Sequence, residues 1–119
     1  MTTALLVVAG AVLGAPLRYL VDRAIQRRHD SLFPWGTFTV NVVGSFVLAV
    51  VAVGASPPWL LALLGTGFCG ALTTYSTFGY ETLRLVEDGA YLLASVNVAG
   101  SVLAGLGAAL GGALVAHAL

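Results

Sequence analysis

Lysine is absent from this chain, and charge of either sign is scarce. Lys and Arg together number 5, Asp and Glu 5, and charged residues make up 8% of the 119 positions. A soluble domain carries about a quarter charged residues, so this sequence cannot clothe an ordinary hydrated surface. The zero net charge excludes a nucleic-acid-binding face. Cysteine occurs once, at Cys69, which rules out an intrachain disulfide. No further ligand types cluster around it, so it reads as a small buried apolar residue. The two histidines, His29 and His117, lie near no candidate nucleophile. The acids Asp22, Asp30, Glu81, Glu87 and Asp88 fall near the ends of apolar stretches or in loops. No catalytic set can be assembled, and an enzyme is not expected.

What the chain has instead is apolar length. Hydrophobic residues make up 59%, and the mean hydropathy is +0.98. Four stretches are long enough to cross a bilayer: about Leu5 to Leu20, Thr37 to Val53, Trp59 to Val86 and Tyr91 to Leu114. The expected fold class is all-α: an integral membrane protein with four transmembrane helices, forming one domain over residues 1–119. The first stretch has no basic residue ahead of its apolar core, and Arg18 follows it, so it reads as a retained span rather than a signal peptide. Arg18, Asp22, Arg23, Arg27, Arg28 and Asp30 read as a charged loop between spans one and two. Trp35 and Trp59 fall at interface depth.

The third stretch is interrupted. After Leu72 come Thr73, Thr74, Ser76 and Thr77, interleaved with Tyr75 and Phe78. Lipid cannot hydrogen-bond a freed backbone group, so a span loosens only where protein or water receives it. Two readings stand. The tract GFCGALTTYSTF, Gly67 to Phe78, lines a pathway or ion site with the helix broken mid-membrane, or the span ends at Leu72 and a polar loop follows. A helix stopping near Thr73 leaves its last carbonyls unpaired, and converging carbonyls suit a hard cation, with Gly70 and Thr73 best placed.

Polar residues recur at helical spacing elsewhere. Thr37, Asn41 and Ser45 share one face of span two, and Asn97 and Ser101 share one of span four. These faces read either as interhelical hydrogen bonding or as donors replacing water around a small anion. Tyr75 and Phe78 could turn positive ring edges toward that anion, or simply pack. Small residues lie on span one at Gly10 and Gly14, and on span four at Gly100, Ala104, Ala108 and Gly111. Such stripes let helices approach closely. Four short helices are too few to enclose a path and shield it from lipid, so an oligomer is expected.

At this point the motifs resemble those of the small bacterial fluoride channels, the Fluc or CrcB family. The resemblance rests on GAVLGAPLRY in span one, GTFTVNVVGSF in span two, GFCGALTTYSTFGYE in span three and NVAGS in span four. It implies an antiparallel dimer of oppositely oriented protomers with two fluoride pathways. It also implies a structural sodium ion (Na+), not transported, held at the centre by backbone carbonyls that map to Gly70 and Thr73. Asn41 matches a pore-lining asparagine, Tyr75 and Phe78 the aromatics whose edges face fluoride, and Ser101 a pore hydroxyl. Arg18 matches an arginine near the aqueous end, and Thr77 a hydroxyl beside the aromatics. Tyr75 departs from the phenylalanine usual in the family, which bears on the conduction rate.

The function these readings imply is passive fluoride efflux across the cell membrane. The alternatives are a proton-coupled multidrug or cation exporter of the small four-span type, which needs a membrane-embedded carboxylate, and a subunit that only packs. One feature argues against equal insertion both ways. The arginines Arg18, Arg23, Arg27, Arg28 and Arg84 all fall on the side of the loops after spans one and three. Basic residues at span ends stay cytoplasmic. The bias favours both termini outside, and a heterodimer with an oppositely oriented homologue over a homodimer of dual topology.

Overall fold

The computed structural model describes residues 1–28, 33–54, 56–73 and 76–118. Every regular element among them is helical. Helix α1 runs Thr2–Arg28 and α2 Trp35–Val53. Helix α3, residues 58–72, joins an opening turn Pro58–Leu60, a wide-turned π-helical stretch Leu61–Cys69 and a closing turn Gly70–Leu72. Helix α4 spans Ser76–Glu87 and α5 spans Tyr91–Ala118. Four segments are long and apolar enough to cross a membrane: α1, α2, the α3–α4 segment Pro58–Glu87, and α5. The long dimension of 47 Å suits a bilayer of ~40–45 Å with its headgroups.

The helix boundaries correct one expectation. Arg18, Asp22, Arg23, Arg27 and Arg28 do not lie in a loop, because α1 continues unbroken to Arg28. No glycine or proline follows Pro16 in that helix, and cations in the last turn favour the negative end of the helix dipole. Pro16 lies inside α1 without ending it, although its ring removes one backbone donor. Asp30 and His29 lie outside the described residues.

Turns are set by local chemistry. Pro57 is extended and Pro58 opens α3, the position where a missing N–H costs nothing. Gly89 takes φ 77°, the left-handed conformation that glycine adopts freely. Its N–H bonds to the Val86 carbonyl at 3.0 Å, and that of Ala90 reaches the Leu85 carbonyl at 2.8 Å. This paired closure is a Schellman cap, and it turns the chain into α5.

Packing follows glycine. A Cβ on Gly10 would overlap the Leu63 carbonyl oxygen and lie 2.6 Å from the Phe68 amide nitrogen. One on Gly67 would sit 2.5 Å from the Val7 carbonyl oxygen and 3.1 Å from the Gly10 Cα. Gly14 meets Phe68 and Leu72 in the same way. Helices α1 and α3 therefore touch backbone to backbone, as the Gly10/Gly14 spacing leads one to expect. The span-four stripe is used only in part: a Cβ on Gly111 would meet the Phe46 ring of α2 at 3.8 Å. Gly100 has nothing within 4 Å of a Cβ, while Gly112 is the residue pressed against the Phe46 carbonyl of α2.

The third span is interrupted at its midpoint. Thr73 leaves helical geometry at φ −79°, ψ 159°, and helix resumes at Ser76. Both the Thr73 N–H and its hydroxyl donate to the Cys69 carbonyl, each at 2.9 Å. A β-branched hydroxyl residue that satisfies itself locally competes with helix continuation. The π-helical turns just before it were not expected from sequence. Gly65, Gly67 and Gly70 lie in or beside them, and the Gly70 N–H reaches back to the Gly65 carbonyl.

Candidate functional site

Four helices around the interruption leave a groove open along one side of the molecule. Its volume is about 720 Å³. Helix α2 contributes Asn41 and Ser45, α3 contributes Thr66 and Gly70 with Thr73 beyond its end, α4 contributes Phe78 and α5 Ser101. None of its described lining residues is charged. Gly44 brings α2 close enough that a Cβ there would overlap the Thr73 methyl.

The hydroxyls of this groove are held by their own helices. Ser45 donates to the Asn41 carbonyl at 2.7 Å, and Thr73 to Cys69 as described. Ser101 lies 3.4 Å from the Asn97 amide oxygen. Each hydroxyl so engaged can still accept a hydrogen bond, and donates to an anion only by giving up its intrahelical bond. The Asn41 side chain, half-buried, adds amide donors.

A smaller cleft of about 190 Å³ lies between α1, α2 and α4, lined by Arg18, Tyr19, Asp22, Thr37, Val40 and Thr77. Arg18 and Thr77 are thus in a different cavity from Asn41, Phe78 and Ser101. Two buried polar atoms there, Arg18 Nε and Asp22 Oδ1, have no hydrogen-bond partner among the described residues. The Asp22 carboxylate fills the space where a Cβ on Gly36 would sit. The expected three-residue face of α2 is therefore divided: Asn41 and Ser45 line the groove, while Thr37 turns away from it.

Two further corrections concern acids and amides. Glu81 is not at a solvated span end: it is half-buried in α4 and accepts a 2.5 Å hydrogen bond from the buried Thr37 hydroxyl. Asn97 is 1% exposed and donates to the Thr82 hydroxyl of α4 at 2.8 Å. Thr82 in turn donates to the Phe78 carbonyl at 2.8 Å. Asn97 is a clamp between α4 and α5, the packing alternative to a path residue. Tyr75 lies outside the described residues. Thr66 was missed by sequence reading, although its place one turn before Gly70 was a usable signal. The Thr37–Glu81 bond had no such signal, because its partners are far apart in the chain.

Four membrane-length helices around an uncharged groove, mostly apolar in its lining but carrying the hydroxyls and amide named above, with one helix interrupted beside it, define a small multi-span membrane protein. Residues 5–113 match the family described as CrcB-like protein, Camphor Resistance (CrcB), and the chain belongs to that family. It is 64% identical to fluoride-specific ion channel FluC 1 of Frankia casuarinae, over 97% of this chain and 96% of that protein. The protein of the same name from Streptomyces avermitilis is 59% identical over the same shares, 97% and 96%. Fluoride-specific ion channel FluC 2 of Mycobacterium tuberculosis is 47% identical over 88% of this chain and 83% of its own length.

Proposed function

We propose that this chain is a fluoride-specific ion channel of the cell membrane, lowering cytoplasmic fluoride by passive efflux. Family membership over nearly the whole chain supports the ion. The observation that carries the path is the meeting of Asn41, Ser45, Thr73, Phe78 and Ser101 on one uncharged groove. Hydrogen fluoride crosses membranes neutral and dissociates inside, so a passive exit for the anion suffices. Asn41 supplies amide donors, Ser101 a hydroxyl and Phe78 a ring edge. Arg18 and Thr77 attract and pass the anion at the smaller cleft, and Tyr75 works beside Phe78.

The groove is open on one side, so the path is completed by a second protomer. An antiparallel dimer brings two interrupted helices together. The donor set there fits a monovalent cation: carbonyls freed at a helix end, and no described carboxylate in the lining. Gly70 and Thr73 would hold a structural sodium ion through their carbonyl oxygens, one pair from each protomer. Bound there, the ion would neutralise converging carbonyl dipoles. Replacing sodium by a large organic cation throughout purification is expected to abolish fluoride flux; undiminished flux would remove the ion from the proposal.

The partner is an oppositely oriented homologue. With Arg18 discounted as a residue inside α1, the remaining four arginines fall on one side of the membrane by chain order, a bias that favours insertion mainly one way. A homodimer of dual topology is the second reading, favoured by the intact central motif. Purified protein in liposomes, alone and together with an oppositely oriented homologue, decides the function: fluoride leaves one of these preparations without a proton or cation gradient if the channel reading holds. A proton-coupled exporter gives no such flux. A reporter fused to the C-terminus decides the assembly. Signal from one side only is expected; equal signals from both sides, with flux from the single chain, would overturn the heterodimer.

A further inference from the structure

Helix α1 ends in a cationic surface that the proposed ion path does not use. Arg23, Arg27 and Arg28 are all exposed. Arg23 and Arg27 are i, i+4 neighbours on one face. None of the three is paired with a described carboxylate. Arg23 is held in place: its Nη1 donates to the Tyr19 hydroxyl at 3.0 Å, and its guanidinium carbon lies 5.7 Å from the centre of that ring.

Depth places this surface at the membrane boundary. At 1.5 Å per residue, Arg23 stands ~32 Å along α1 from Thr2, and Arg27 ~38 Å. A helix entering a ~30 Å hydrocarbon core at its first residue leaves it near Arg23 and carries Arg27 and Arg28 into the headgroup layer. Trp35, which opens α2 on the same side, is partly exposed and packs on Phe33 with ring centres 4.6 Å apart. Such an aromatic sits at the same depth. The opposite end, which holds the termini and the 54–58 turn, has no Lys or Arg at all.

We infer that the arginine-bearing end of α1 binds the phosphodiester headgroups of anionic phospholipids, at this membrane face only. Guanidinium groups grip phosphate oxygens in pairs, and the acyl chains below them cover the exposed apolar flank of Val12, Leu13 and Leu20. Among the described residues the nearest acids do not neutralise it: Asp22 is turned inward over Gly36, and Glu87 and Asp88 flank Arg84 at the end of α4, while Asp30 lies outside the described residues. The inference stands apart from the ion carried and tests independently of it.

The protein as purified, in neutral detergent, is titrated with phosphatidylglycerol, with phosphatidylcholine of the same chains, and with inorganic phosphate, while the thermal midpoint is followed. Phosphatidylglycerol is expected to raise the midpoint by several degrees more than phosphatidylcholine. The R23Q/R27Q/R28Q variant is expected to lose that difference and to bind phosphatidylglycerol roughly tenfold or more weakly. The R23K/R27K/R28K variant is expected to keep most of it, and decides the matter if the glutamine variant does not fold. An equal response to both lipids overturns the inference. So does an unchanged response in the glutamine variant, or inorganic phosphate reproducing the shift.

Discussion

On one face of α3, a Cβ added at Gly67 would sit 2.5 Å from the Val7 carbonyl oxygen; on the other, at Gly70, the nearest atom is the Gly65 carbonyl oxygen at 4.0 Å. Two glycines of one helix thus do opposite jobs. The first lets α1 and α3 close on each other, and that seam is used up within the chain. The second leaves backbone bare at the edge of an open groove. The polar residues follow the same division: Asn41, Ser45, Thr66, Thr73 and Ser101 belong to the open side. In lipid, close packing and hydrogen bonds hold helices together. The open face, apolar over most of its area but carrying these polar groups, is the one on which the proposed path and second protomer rest.

The division can be broken most severely at the seam. Gly10→Leu places a side chain into the backbone of α3, beyond the ~1–3 kcal/mol usual for an overfilled core. No monodisperse protein is expected by size-exclusion chromatography. On the groove side, folding should survive and conduction should not. Asn41→Asp sets a like charge in the path, a repulsion of about 4 kcal/mol at ~4 Å and an effective dielectric of ~20. That corresponds to ~10³-fold in liposome fluoride flux. Phe78→Ile removes the ring edge while keeping bulk, and is expected to lose most of the flux with normal elution.

A change between the two regions sharpens the contrast. Asn97→Ala removes the buried amide that donates to the half-buried Thr82 hydroxyl, at ~1–3 kcal/mol. Thermal stability should fall, while flux per folded protein stays near that of the unaltered chain. If flux falls with unchanged stability, Asn97 belongs to the path after all. The smallest effect is expected at Gly100→Ala, where nothing lies within 4 Å of the added methyl. Stability should move by no more than ~0.5 kcal/mol; a large loss would place Gly100 at a contact with the second protomer.

Much of this was legible in the chain because membrane spans announce themselves by length and apolarity. The interruption at Thr73 was legible too, since β-branched hydroxyl residues after Leu72 break both the apolar run and the helix. The Gly10/Gly14 seam followed from spacing alone. What failed depended on partners. Thr37 shares a helical face with Asn41, yet it turns to Glu81, a residue far along the chain. Asn97 and Ser101 also share a face, but only Ser101 reaches the groove, because Thr82 captures the amide. Gly112 approaches the α2 backbone more closely than Gly111 does, since a stripe of small residues does not say which of them the neighbour presses on. The π-helical turns of Leu61–Cys69 had no signal beyond the frequency of glycine.

The open groove has a consequence for the life of the protein in the cell. A protomer inserted alone turns amides, hydroxyls and a severed helix end toward acyl chains, which offer them no hydrogen bonds. If the proposed pairing holds, such a chain would be open to membrane quality control until a second protomer covered the groove. The steady amount of this protein would then follow the supply of that second protomer as much as its own synthesis. Making a protomer without its partner would shorten its half-life rather than raise its level.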